Sequence, residues 1–298
     1  MTGNLFRRAC LPVLCLLVLA GCAAAPEFVT PKGAINQVYA VIDRQTLAAI
    51  RQSAYLAESF ADLREVSGDN AARHSSSGVY LTGRETTVGL FAQRTTPGRS
   101  GLGIGLDTIG ETAAVRRNYR TSTGLEPVAF ARSQLIGELD VPWFLSTLPG
   151  GIDLETPPDF AVWTMEYQPA YFVANKDRAS GGDPADITRR RYNAHRFDAS
   201  RLMLDVVAVT FDARRAEGEA AIPLMEAAGL SVGHSASQAL ARGRADSVTI
   251  NLLSDETPAG LREIEFLLNR DVAGQHVERL GNSELVVGPG RRALWRFR

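Results

Sequence analysis

An uncharged apolar segment near the N-terminus is the feature that most constrains how this chain folds. Arg7 and Arg8 precede a run from residue 9 to residue 20 that contains no charged side chain. A basic segment followed by about 7–15 apolar residues is typical of secretory signals, and this run is too short for a transmembrane helix. We therefore predict that residues 1–21 are a signal peptide and that the folded body begins after them.

The apolar segment ends in Leu19-Ala20-Gly21-Cys22. These residues resemble the lipobox of bacterial lipoproteins, in which the cysteine becomes the new N-terminus. The resemblance implies that Cys22 carries a diacylglyceryl group and an acylated amine, with acyl chains such as palmitate. Two or three acyl chains anchor a protein stably to a membrane. Ala23 stands where an aspartate would imply inner-membrane retention, so the resemblance implies a periplasm-facing protein of the outer membrane.

All three cysteines, Cys10, Cys15 and Cys22, lie in this N-terminal segment. The predicted mature chain therefore has no disulfide, thiolate nucleophile or cysteine metal ligand, and its stability must come from a hydrophobic core. The formal net charge of -1 argues against nucleic acid as a partner. No cofactor motif is present, and the four histidines (positions 74, 195, 234 and 276) are too dispersed to predict a metal site.

The pattern of apolar and turn residues predicts an α+β fold. We expect a long N-terminal helix, a mixed or antiparallel sheet with flanking helices, and a C-terminal β-meander. The predicted domains are a lipidated tether at 22–33, a helix-rich region with a small β-hairpin at 34–150, and an α+β sheet domain at 151–298.

Residues 35–66 contain no proline or glycine, and their apolar positions recur at spacings of three, four and seven. This spacing predicts one long helix. Thr46, Ala49 and Ser53 make its middle small, so that a partner protein, or alternatively another element of the same domain, could approach closely. Further helices are predicted at residues 111–119, 126–139, 217–228 and 260–269.

Residues 160–167 and 202–211 give the clearest strand patterns, and we expect them to be adjacent in one sheet. Residues 79–94 predict a β-hairpin, and 98–105 a glycine-rich loop that lacks the third glycine of a phosphate-binding motif. Residues 276–298 predict the meander, with Trp295 and Phe297 on one face of its last strand.

Four arginines cluster in the charged stretch between these two strands, at Arg189, Arg190, Arg191 and Arg196. Because guanidinium groups suit phosphate and carboxylate recognition, the cluster is a candidate patch for a polyanion or a partner. The alternative is a solvated loop.

The sequence Gly233-His234-Ser235-Ala236-Ser237 resembles the nucleophile elbow of α/β-hydrolases. The resemblance implies a triad of Ser235, Asp255 and His276. Ser237 replaces the last glycine of the elbow, which crowds the turn, so we predict that Ser235 is not a nucleophile.

The same stretch, continued through residues 239–248, also resembles OmpA-like peptidoglycan-binding domains. That resemblance implies that Arg244 contacts peptidoglycan, although the family's aspartate has no counterpart at Ser235 or Ala236. The sequence as a whole favours a non-catalytic, membrane-anchored protein with a structural or partner-binding role in cell-envelope assembly. A peptidoglycan-binding lipoprotein and a serine hydrolase are the alternatives, and the expected partners are the bilayer and other envelope proteins.

Overall fold

The computed structural model describes residues 32–66, 77–92, 101–153, 158–175, 183, 185–254 and 256–298. The predicted signal peptide, Cys22 and most of the tether lie outside these residues, as do His74 and Asp255. In the remaining chain, two eight-stranded sheets pack on one shared core.

The first sheet has the strand order β2-β3-β4-β1-β5-β8-β7-β6. Its strands and helices in chain order are β1 (Ala34–Ile42), α1 (Arg44–Gln52), a π-helical turn (Leu56–Phe60), β2 (Asp62–Val66), β3 (Gly78–Thr82), β4 (Thr87–Ala92), β5 (Leu102–Asp107), α2 (Thr112–Thr123), β6 (Val128–Ile136), β7 (Leu139–Leu148) and β8 (Phe160–Tyr167).

Two short helices, α3 (Pro169–Ala174) and α4 (Arg189–Asn193), lead to the second sheet. Its strand order is β10-β11-β12-β9-β13-β16-β15-β14. The elements are β9 (Met203–Arg214), α5 (Arg215–Ala227), β10 (Ser231–His234), β11 (Gln238–Arg242), β12 (Ser247–Leu253), β13 (Gly260–Val272), β14 (His276–Leu280), β15 (Ser283–Val287) and β16 (Gly290–Phe297).

Each sheet is built from two units of the same kind. In three of the four units a strand, a helix and three antiparallel strands follow one another, and the first strand pairs in parallel with the last. A helical crossover returns the chain so that the next strand runs in the same direction. The fourth unit has no helix between β13 and β14, and its first and last strands are accordingly antiparallel.

One face of each sheet lies in the shared core. Aliphatic side chains of β1 and β5 meet those of β9 and β13, and ring pairs connect the two halves. Phe160 lies 5.3 Å from Phe211, and Phe60 lies 5.3 Å from Phe266, measured between ring centroids. We call the opposite side of each sheet its outer face.

Several predictions from sequence are confirmed. The fold class is α+β, residues 79–94 contain the β3–β4 hairpin, and α2 and α5 lie where helices are predicted. The meander forms as expected, with Trp295 and Phe297 buried and Arg296 exposed.

The predicted long helix over residues 35–66 is wrong. Val38, Ala40 and Ile42 are buried with period two, which makes residues 34–42 a strand. Asp43 then caps α1, because its carboxylate accepts from the backbone N–H of Thr46 at 2.9 Å. The region 34–150 is therefore rich in strands rather than helices, and its predicted boundary at 151 falls within the first sheet.

The small residues of that predicted helix do allow a close approach, but within the same chain. Thr46 Oγ1 accepts from the backbone N–H of Asn282 at 2.8 Å, and Ser53 donates to Glu278 at 2.7 Å. Gly281 lies directly against Thr46. The middle of α1 is thus occupied by the β14–β15 hairpin and is not a partner-binding surface.

Four other local predictions are also corrected. Residues 126–139 and 260–269 form strands, because their apolar side chains alternate across a sheet. Of the predicted glycine loop, residues 102–105 belong to β5. Strands β8 and β9 lie in different sheets instead of side by side.

Candidate functional site

The outer face of the second sheet carries a row of alternating charges. The row crosses four neighbouring strands, β13, β16, β15 and β14, whose paired residues are Glu263, Arg296, Glu284 and Arg279 in that order. Arg296 lies 3.3 Å from Glu263, and Arg279 lies 3.4 Å from Glu284. Opposite charges that face each other on adjacent strands stabilise a solvated sheet surface. A cavity of about 270 Å³ opens on this row, but its charged groups already neutralise one another.

The outer face of the first sheet is different, because it carries aromatic rings over glycine. Tyr39 of β1 is flanked in register by Gly89 of β4 and Gly103 of β5. Its ring stacks on Phe91 at 4.8 Å, and the ring of Tyr80 meets Phe91 edge-on at 5.5 Å. The side chains of Tyr39 and Tyr80 stay half-buried. We call this surface the aromatic face.

The glycines set the depth of the aromatic face. A Cβ added at Gly103 would lie 2.3 Å from the carbonyl oxygen of Ala161 and 2.5 Å from the ring of Trp163. At Gly89, an added Cβ would lie 2.8 Å from the ring of Tyr80. The rings therefore rest against the backbone where a side chain would otherwise stand, as expected where glycine marks a close approach in a strand.

A second cluster of rings continues the aromatic face toward β7 and β6. Tyr192 of α4 stacks on Tyr167 of β8 with a centroid distance of 4.2 Å, and Trp143 stacks on Tyr171 of α3 at 6.1 Å. Helices α3 and α4 thus cover one end of the face. The half-buried ring of Trp163 packs against this cluster.

Two buried carboxamides on this side of the first sheet, those of Asn36 and Asn193, form hydrogen bonds through their oxygen atoms but not through their nitrogen atoms. The Asn36 oxygen accepts from the hydroxyl of Tyr167 at 3.2 Å, and the Asn193 oxygen lies 3.4 Å from the hydroxyl of Thr87. Among the described residues neither amide nitrogen has a hydrogen-bond partner, although Asn36 and Asn193 are 2% and 3% exposed. Buried donors of this kind cost about 1–3 kcal/mol until they meet an acceptor.

An ion cluster fixes α4 above the aromatic face. The Arg189 guanidinium lies 3.1 Å from the Asp107 carboxylate and 2.9 Å from that of Glu85, and it also donates to the backbone oxygen of Ile35. Asp107 is 2% exposed. Burial raises its pKa to about 6, against the opposing effect of the Arg189 charge.

Two of these tyrosines, Tyr80 and Tyr167, stay protonated at neutral pH. Burial raises the pKa of Tyr80 to about 12 and the pKa of Tyr167 well above its ordinary value. Their hydroxyls can therefore donate hydrogen bonds but cannot act as bases. The arrangement suits binding better than proton transfer.

The predicted arginine patch does not form one surface. Arg189 is committed to the buried cluster, and Arg191 donates to the backbone oxygens of Asp183 and Asp186 while covering the Phe172 ring. Arg196 lies 3.8 Å from Asp62. Of the four, Arg190 is the exposed member.

The residues of the hydrolase resemblance are not brought together. Ser235 lies in the exposed turn between β10 and β11, where its backbone N–H donates to the Gln238 oxygen at 2.8 Å. His276 lies on β14, at the opposite edge of the same sheet, where its ring stacks on Tyr55. The Ser235–His276 arrangement is therefore wrong, and Asp255 lies outside the described residues.

Arg244 lies in an exposed turn between β11 and β12. The OmpA-like resemblance requires this arginine on a helix, so the structure does not reproduce that context. In the described part of the chain, no group of three His, Cys, Asp or Glu residues is placed to hold a metal ion. No helix there is long and apolar enough to cross a membrane.

Comparison with known protein families gives one match, which spans residues 35–297. The matching model is described as a family of unknown function, DUF5829. This chain belongs to that family. The matched residues include both sheets. No curated protein matches the chain.

Several solved structures match the chain at low identity, and the first one named here supports the fold alone. A crystal structure of a hypothetical protein from Staphylococcus aureus has a TM-score of 0.50 at 9% identity, covering 86% of this DUF5829 chain and 99% of its own. A mutant 4-hydroxymandelate synthase from Streptomyces coelicolor gives 0.38 at 16% identity, covering 78% and 70%. A homoprotocatechuate 2,3-dioxygenase variant from B. fuscum gives 0.36 at 11%, covering 76% and 55%.

The sequence-based reasoning missed the aromatic face. One available signal was the alternation of Gly101, Gly103 and Gly105 with aliphatic residues, which has the period of a strand. Nothing in the sequence indicated that Tyr39, Gly103 and Trp163 are neighbours, because they stand on three different strands.

Proposed function

We propose that this chain is a lipid-anchored binding protein of the cell envelope. It holds a ring-bearing ligand against the aromatic face and does not convert it. The observation that carries the proposal is the set of half-buried rings, Tyr39, Tyr80 and Trp163, lying over glycines at the centre of the first sheet. A ligand site typically combines such apolar surface with a few fixed polar groups.

The polar groups beside the rings favour a ligand with hydrogen-bond acceptors. The amide nitrogens of Asn36 and Asn193 are buried donors that have no acceptor in the described part of the chain. Sugar rings and phenolic rings share the required chemistry, a flat apolar face with oxygens at its edge. Peptidoglycan, the alternative partner expected from sequence, offers sugar rings and would bind here instead of through Arg244.

Tryptophan fluorescence tests the site directly. The full chain in detergent micelles is titrated with the peptidoglycan disaccharide and, separately, with an aryl glycoside. We expect saturable quenching with at least one probe, largely lost in Trp163→Phe. Tyr80→Ala should weaken binding about tenfold, since an aromatic contact contributes about 0.5–1.5 kcal/mol beyond its buried area.

Tyr55→Ala is the matched control, because Tyr55 stacks on His276 away from the aromatic face. Its affinity should equal that of the wild type. Absence of saturable quenching with both probes would exclude ring binding at this face.

The membrane anchor is tested separately at Cys22. Intact-mass analysis of the membrane form should show acyl chains on an N-terminal cysteine, and Cys22→Ser should yield a precursor or a soluble protein. An unlipidated wild-type N-terminus at residue 23 or later would contradict the membrane anchor. That result would not affect the ligand site, which the fluorescence titration tests independently.

A further inference from the structure

The two sheets end in four edge strands, and three of them are protected against pairing with another chain. Strands β2 and β14 have five residues each and carry charged side chains, and β10 has four residues. Short length and charge are the usual ways in which an edge is kept from pairing. The fourth edge, β6, is longer and carries a single charged side chain.

Strand β6 has nine residues and one charged side chain, Arg132. Among the described residues its ladder partner is β7, so its other edge is open. Ala129, Ala131 and Ser133 are exposed, and Leu135 is 68% exposed. A long, open and largely uncharged edge is a template for an added strand, because its outward N–H and C=O groups have no ladder partner.

We propose that β6 pairs antiparallel with β6 of a second copy of this chain about a two-fold axis. The two first sheets then join into one continuous sheet. This pairing satisfies the outward backbone groups of both edges and covers Leu135 in both copies.

The side chains of β6 select one register for this pairing. With Ser133 on the two-fold axis, Phe130 faces Ile136 of the second copy, Ala131 faces Leu135, and Arg132 faces Gln134. Apolar side chains then oppose apolar side chains on both faces, which is the pairing that stabilises a sheet.

Neighbouring registers are less favourable. An axis at Arg132 would place two arginines directly opposite each other, which destabilises an antiparallel pair. An axis at Ala131 would leave Leu135 beyond the end of the opposing strand. The charge pattern therefore supports a second copy with its axis at Ser133.

Cysteine cross-linking in membranes that contain the full chain tests this register. In an antiparallel pair the two Ser133 Cα atoms would lie about 4.5–5.5 Å apart, within the range of a disulfide. Under oxidation, Ser133→Cys should give a covalent dimer. The native cysteines lie at positions 10, 15 and 22. The wild-type chain, oxidised in the same way, therefore shows how much cross-linking these cysteines cause by themselves.

Ala129→Cys is the matched control on the same exposed edge. In the proposed register the two copies of residue 129 are eight residues apart along the strand, about 27 Å. They should not cross-link. Equal cross-linking at residues 129 and 133, or none at 133, would overturn the proposal.

A charge exchange provides a second readout in the purified full chain. Ala131→Glu should raise the dimer dissociation constant at least tenfold, because each glutamate faces Leu135 of the other copy. Adding Leu135→Lys should restore the constant to within about threefold, because each glutamate then faces a lysine. Val277→Lys, on the β14 edge, should have no effect.

A monomeric wild-type chain would contradict the proposal. A monomer is also the expected result if the β6 edge pairs with a strand of a different protein. An Ala131→Glu variant that dimerises like the wild type would contradict it as well.

Discussion

Gly103 shows how one residue without a side chain shapes a whole surface. It lies beside Tyr39 in the register of β5, with the Ala161 backbone and the Trp163 ring directly against its Cα. Its role is steric, because an added Cβ would contact neighbouring atoms at 2.3 Å and 2.5 Å.

We expect Gly103→Ala to lower the free energy of unfolding by about 1–3 kcal/mol, the usual cost of overpacking. Urea denaturation followed by circular dichroism measures this change. Gly233→Ala is the control, because an added Cβ there meets no atom within 4 Å. Equal effects of the two substitutions would show that the close packing at Gly103 has no energetic consequence.

At the scale of elements, α4 is held in place by one arginine. Arg189 connects the helix to Asp107 at the end of β5 and to Glu85 in the β3–β4 turn. This attachment positions Tyr192 for its stack on Tyr167. The cover of the aromatic face therefore depends on a buried ion pair rather than on the short helix itself.

We expect Arg189→Ala to lower the free energy of unfolding by about 3 kcal/mol, because it leaves the buried Asp107 carboxylate without its partner. It should also weaken the near-ultraviolet dichroism of the tyrosine stack. Arg190→Ala, at the exposed neighbouring position, should stay within about 0.5 kcal/mol of the wild type. The idea fails if both variants unfold at the same urea concentration as the wild type.

At the scale of the whole molecule, buried carboxylates join the two sheets. Asp205 of β9 accepts from the backbone N–H of Glu85 at 2.6 Å, and Asp246 accepts from that of Ile35 at 2.6 Å. Burial raises the pKa of Asp205 and of Asp246, as it does at Asp107. The junction therefore couples the stability of both halves to pH.

The pKa of Asp107 determines whether the folded chain gains or loses stability as the pH rises. Its pKa of about 6 in the folded chain lies above the ordinary value of 3.8. The folded state therefore favours the protonated form, and the stability that Asp107 contributes is lost as pH rises through 6. We expect the wild type to lose stability relative to Asp107→Asn between pH 4 and pH 6, measured by urea denaturation.

Asp271→Asn removes the same charge at an exposed position and is the matched control. A difference between the wild type and Asp107→Asn that stays constant over this interval would show that Asp107 does not titrate there.

Elements that are specified by neighbouring residues could be predicted from the sequence. The meander follows from Gly281-Asn282 and Gly288-Pro289-Gly290, and α5 ends before Gly229, which has a positive φ of 91°. These local signals suffice for the α+β class. The lipidation of Cys22 stays a prediction from the lipobox.

The secondary structure of residues 34–42 and 260–272, and the order of the strands in each sheet, depend on the packing of the whole fold. Their apolar positions fit both a helical and a strand period, and the shared core selects the strand. The contact between Ile35 and Asp246 joins residues 211 positions apart, and Tyr39, Gly103 and Trp163 meet through strand pairing. Such contacts depend on the packing of the whole chain, which no local pattern of residues specifies.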